Sequence, residues 1–104
     1  MKYEKQARAL IRKMIRRARQ DWTTGIYVRP RGENDVMNEA QTERDILDSV
    51  FGCDETIITF HDMTTGRNLG KVLIVLEYDS EPCEIVSDYT GNPYTQRLID
   101  HIGV

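Results

Sequence analysis

The chain has 104 residues, of which 30% are charged and 39% hydrophobic, and a formal net charge of −3. Leu, Ile, Val and Phe supply 25 residues, about 24%, which is above the level that marks intrinsic disorder, so one folded domain with a modest core is expected. The longest apolar run, Val72 to Leu76, is far short of the ~20 residues that cross a bilayer, and the N-terminus lacks the apolar stretch of a secretory leader. Two cysteines, Cys53 and Cys83, build neither a disulfide framework nor a four-ligand zinc site.

The net charge conceals a division. Residues 1–20 carry eight cations against one anion, Glu4, for +7, while residues 21–104 carry six cations and sixteen anions, for −10. Such asymmetry speaks to partners and self-association rather than to fold. Tyr3, Ala7, Leu10, Ile11, Met14, Ile15, Ala18 and Trp22 recur at helical spacing, which predicts an amphipathic helix within residues 1–22. Good helix formers dominate it, and neither Gly nor Pro interrupts it.

Gly25 reads as the left-handed cap of that helix. Ile26-Tyr27-Val28 then reads as a short edge strand or extended loop, because Pro30 cannot donate to a ladder. A second helix is expected over residues 38–51, with Ala40, Ile46, Leu47, Val50 and Phe51 inward, Gly52 as its stop and Asn34 as an alternative start. Residues 56–89 read as a three-stranded antiparallel meander whose short connections join neighbouring strands. In its central segment Val72, Ile74 and Leu76 share one face while Leu73 and Val75 share the other, so something should cover each face. Asn92-Pro93 opens a last helix over 93–102, with Tyr94, Leu98, Ile99 and Ile102 inward and Gly103 closing it. The expected class is α+β, one domain of helices packed on a small, mainly antiparallel sheet.

Several residue groups have chemistry to weigh. His61 and Asp62 are weak candidates for a metal or base site, since strand alternation points them to opposite faces and only two histidines exist. His101 near a helix C-terminus is explained by electrostatics alone. Cys53 follows a helix C-terminus, where the dipole disfavours a thiolate, and both cysteines read as packing residues in a reducing compartment. Glu77, Asp79, Glu81, Glu84 and Asp88 crowd the second hairpin, either as a solvated edge-protecting rim or as a surface offered to a basic partner. The Thr64–Gly70 segment lacks the spacing of a phosphate loop.

Arg12, Lys13, Arg16, Arg17 and Arg19 form the densest feature, five cations in eight residues. They read as a face neutralised by the acidic remainder of the molecule, a docking face for a protein, a phosphate-binding face, or a surface for anionic lipid or targeting. No cofactor is implied. The expectation is a small cytoplasmic, non-enzymatic binding or regulatory protein that docks on a protein or nucleoprotein partner, in the style of a phage or mobile-element inhibitor of a host complex. Nucleic-acid binding through the first helix is the alternative, and a small metal-dependent hydrolase is the third reading. Head-to-tail pairing of the +7 and −10 parts would give a homo-oligomer.

Overall fold

The computed structural model describes residues 2–21, 24–32, 38–39, 42–77, 82–87 and 93–103. The elements in chain order are α1 (Glu4–Gln20), β1 (Thr24–Pro30), β2 (Asn38–Glu39), α2 (Glu43–Phe51), β3 (Glu55–Asp62), β4 (Asn68–Leu76), β5 (Cys83–Ser87) and α3 (Pro93–Ile102). The strands form one antiparallel sheet in the order β2-β1-β3-β4-β5. The α+β class and the antiparallel meander are therefore as the sequence implied.

Alternation decides which side chains reach the core. Ile26 and Val28, Ile58 and Phe60, Val72 and Ile74, and Ile85 project from the four longer strands to one face, where all are buried. The three helices cover that face. Ala7, Ile11, Met14, Ile15 and Ala18 of α1 join Ile46, Leu47 and Val50 of α2 and Leu98, Ile99 and Ile102 of α3 in the same cluster. The Phe60 ring meets the edge of Tyr94 with centroids 6.0 Å apart, a geometry aromatic quadrupoles favour. Burying each large aliphatic side chain here stabilises the fold by about 1.5–3 kcal/mol before the entropy cost.

The opposite face carries Tyr27, Ile57, Thr59, His61, Lys71, Leu73, Val75, Glu84 and Val86, placed by the pairings Tyr27–Thr59–Lys71, Ile57–Leu73–Val86 and Glu55–Val75–Glu84. Among the described residues no helix packs there, and Ile57, Leu73, Val75 and Val86 stay half-buried. Among the described residues, the expectation that something covers both faces of the central strand is met by helices on one face alone.

Three local expectations need correction. Gly25 does not cap α1: it lies in β1 opposite His61, is buried, and a Cβ there would run into the Met63 sulfur. β1 is not an edge strand or loop, because it pairs with β3 along its whole length and with β2 on its other side. The second helix starts at Glu43 rather than 38, because Asn38 and Glu39 pair with Val28 and Tyr27 as β2. Thr42 is extended at φ −128°, and its hydroxyl accepts the Asp45 amide at 3.0 Å, which fixes the true N-terminus. Ala40, Asn34, Trp22 and Asn92 lie outside the described residues, whereas Pro93 is the first residue of α3 and Gly103 ends it with φ +76°.

The first hairpin turns at residues 63–66. Asp62 Oδ1 accepts the amides of Thr64 and Thr65, and Gly66 N–H donates to the Asp62 carbonyl at 2.7 Å. A bulge follows, where the β3–β4 register shifts between Phe60 and His61 and Asn68 Oδ1 accepts the Gly70 amide.

Candidate functional site

The five cations singled out in the first helix do not form a single stripe. At 100° per residue the buried positions 7, 11, 14, 15 and 18 define the inner face of α1, and the cations occupy the remaining arc. On the side of α2, Glu43 takes two of them. Arg12 Nε donates to Oε1 at 2.8 Å, while Arg16 donates Nε to Oε2 at 3.0 Å and Nη2 to Oε1 at 3.3 Å. The Arg16 and Arg12 guanidiniums hold the Glu43 carboxyl below the usual carboxylate range, with partial burial opposing them. One carboxylate between two guanidiniums leaves a local charge of +1, and Arg16 keeps 65% of its side chain exposed.

On the side of α3 one groove is basic, and the groove adjoining it carries acids as well as cations. Arg12, Lys13, Arg16 and Arg17 line one wall of a shallow groove of about 350 Å³, and His101 of α3 supplies the other. Arg17 donates Nη1 to Gln20 Oε1 at 3.0 Å, which holds it along the helix. Arg17 and His101 also border an adjoining groove of about 510 Å³, reached by Tyr94, Arg97, Asp21 and Asp100. There Tyr94 Oη donates to Asp21 Oδ2 at 3.0 Å and lies 3.3 Å from the Thr24 hydroxyl, with the Arg97 guanidinium 5.7 Å from its ring. Burial, more than the bond to Asp21, pushes the Tyr94 phenol up to about 12. Arg19 is exposed in the last turn, where a cation suits the helix dipole.

The acidic candidates separate. Glu77 lies in the turn after β4 with φ +52°, and its Oε1 accepts the Tyr3 amide at 3.0 Å. A carboxylate at the N-terminus of α1 favours the positive end of the helix dipole, so Glu77 has structural work. Glu84 sits in β5 opposite Val75, on the sheet face away from the helices. Asp79, Glu81 and Asp88 lie outside the described residues.

His61 and Asp62 do diverge. The His61 ring packs on Tyr27 with centroids 5.0 Å apart, whereas the Asp62 carboxylate is spent on the turn that follows it. Among the described residues no three His, Cys, Asp or Glu side chains gather as metal ligands. Cys53 is half-buried just beyond α2, Cys83 is buried at the start of β5, and neither is joined in a disulfide. None of the helices among the described residues is long and apolar enough to cross a membrane.

Three members of the site escaped the sequence. Glu43 is 31 residues from Arg12, so no local pattern joins them. The approach of Arg97 and His101 to α1 follows from the packing of α3 beside it. Comparison with protein families, curated proteins and solved structures finds no match for this chain.

Proposed function

We propose that this is a non-enzymatic binding protein that docks through the outer face of α1 on an anionic surface of a protein or nucleoprotein partner, in the cytoplasm, as a regulator or inhibitor of that assembly. The observation that carries the reading is the charge left over on α1. Glu43 accounts for one unit among Arg12 and Arg16, and Lys13, Arg16, Arg17 and His101 still converge on one groove. The face is also rigid: Ala7, Ile11, Met14, Ile15 and Ala18 are wholly buried, which fixes the helix beneath its cations. A preorganised set of cations binds with less ordering cost than cations on a flexible tail.

Direct nucleic-acid binding through the same face is the second reading, favoured by the spacing of Lys13 and Arg17 one helical turn apart along the groove. Both are tested by fluorescence anisotropy of a labelled polyglutamate peptide, mixed-sequence duplex DNA and single-stranded RNA. The protein and its Lys13→Glu/Arg17→Glu variant are titrated at low and at physiological salt. Docking on an acidic protein surface predicts peptide binding that weakens with salt and disappears in the variant, with thermal unfolding unchanged. Binding of the nucleic acids alone transfers the function to the second reading. No binding of any probe at low salt overturns both.

A further inference from the structure

We infer that the groove of about 510 Å³ between α1 and α3 is a binding site for a small aromatic phosphate monoester, apart from the docking groove beside it. Helical spacing builds its walls. Tyr94, Arg97, Leu98 and His101 follow one another at steps that make a single stripe along α3, and Arg17 and Asp21 stand one turn apart at the C-terminal end of α1. Leu69 of β4 closes the floor. The volume lies within the ~300–1,000 Å³ of small-molecule sites, and Leu69, Leu98 and the Tyr94 ring supply the apolar wall that such sites share.

The groove holds acids and cations alike, but it is the acids that the protein's own donors engage. Asp21 Oδ2 accepts the Tyr94 hydroxyl at 3.0 Å, and Asp100 Oδ1 accepts the Gln96 side-chain amide at 2.9 Å. Among the described residues, the Arg97 guanidinium and the His101 ring have neither a hydrogen-bond acceptor nor an ion pair, and the Arg17 guanidinium donates to Gln20 alone. Arg97 lies 5.7 Å from the centre of the Tyr94 ring, a contact that uses none of its N–H donors. The unmet capacity is therefore for acceptors. A phosphate monoester brings three acceptor oxygens and a charge of about −1.5 to −2 near neutral pH, and it fits guanidinium forks on two sides. A carboxylate, with two oxygens and one unit of charge, cannot serve two guanidiniums and an imidazole together. Asp21 and Asp100 repel such an anion, but Arg12, Lys13 and Arg16 of the adjoining groove, with Glu43 between two of them, offset those two charges. The ring of the ester occupies the part of the groove walled by Leu69, Leu98 and Tyr94, which inorganic phosphate leaves unfilled.

Phosphorus-31 NMR titration of phenyl phosphate at physiological salt tests the inference directly. No peptide is involved, so the result is independent of docking through α1. Phenyl phosphate should bind roughly ten-fold more tightly than inorganic phosphate. Arg97→Gln should weaken it by roughly ten-fold or more through the loss of a charge-assisted pair, while keeping the circular dichroism of the parent. His101→Gln, at a second exposed position, should weaken it by a smaller factor. Arg44→Gln removes the same charge from an 88% exposed side chain that lines neither groove, and it should leave the affinity unchanged. Adenosine monophosphate and phosphotyrosine amide carry the same chemistry from two sources, a free nucleotide and a modified protein side chain, and the tighter of the two names the source. The inference is overturned by an unperturbed phenyl phosphate resonance at millimolar protein, or by inorganic phosphate binding equally well. Parent affinity in both Arg97→Gln and His101→Gln, or an equal loss in Arg97→Gln and Arg44→Gln, overturns it too.

Discussion

Replacing Glu43 by Gln separates the two roles that the basic helix has been given. The substitution keeps the size of the side chain and removes the charge that joins α1 to α2. The Arg12 contact, with the partners 38% and 29% exposed, should be worth ~0.5–1 kcal/mol, and the more exposed Arg16 contact ~0.2–0.5 kcal/mol. Glu43 also occupies the first turn of α2, where an acid favours the dipole by about 0.3–1 kcal/mol. Because these terms share one carboxylate, a total near 1 kcal/mol is expected, which lowers the Tm of a domain this size by about 4–8 °C. Thermal unfolding followed by circular dichroism at neutral pH and low salt reads that difference, and it should shrink in ~1 M salt. The pH dependence has a definite sign. Since the folded carboxyl titrates below its ordinary 4.5, the advantage of the parent is complete above that value and disappears as the pH falls through the lower folded one. Meanwhile the variant surface gains a unit of positive charge, so polyglutamate binding should be retained or strengthened. An unchanged Tm would refute the ion-pair geometry. Loss of peptide binding would show that Glu43 holds the cations in their binding arrangement.

Removing the cap of α2 by Thr42→Ala should cost about 1 kcal/mol, because the Asp45 amide loses its acceptor, and urea unfolding should show a lower midpoint with an unchanged slope. At alkaline pH the Tyr94 phenol should ionise near 12, visible by ultraviolet absorbance and absent in Tyr94→Phe. With its folded value above the ordinary 10.0, its contribution to stability is complete below about 10 and is lost as the pH rises towards 12.

What the sequence disclosed follows from how local each feature is. The stripe of α1, the meander and the start of α3 at Pro93 rest on periodicity and on caps within a few residues, and all three are present. β2 is two residues with no apolar alternation, so only its pairing with β1 reveals it. The start of α2 was legible in principle, since Thr42 and Asp45 stand at the spacing of a capping pair, yet the polar run from Asn38 reads equally well as a helical first turn. Gly25 is ambiguous for a physical reason: a glycine after a helix suits a left-handed cap, but it also suits a strand position where another side chain comes close, here Met63. The concentration of charge on α1 was visible as composition. Which cation meets which acid was not, because Glu43, Arg97 and His101 reach α1 only through the packing of α2 and α3 against it. The acidic rim shows the same limit. Glu77 is held by the Tyr3 amide, far away in sequence, while Glu84 faces the other side of the sheet.

Docking is assigned to one surface, the outer face of α1, and amide chemical-shift mapping tests it by location. Uniformly nitrogen-15-labelled protein is titrated with polyglutamate, and the perturbed backbone amides are assigned to elements. Shifts should concentrate at Lys13, Arg16, Arg17 and Gln20 of α1 and at His101 of α3, with the β3 and β4 amides unmoved. Shifts confined to the sheet, or spread evenly over every basic residue without saturation, would contradict it.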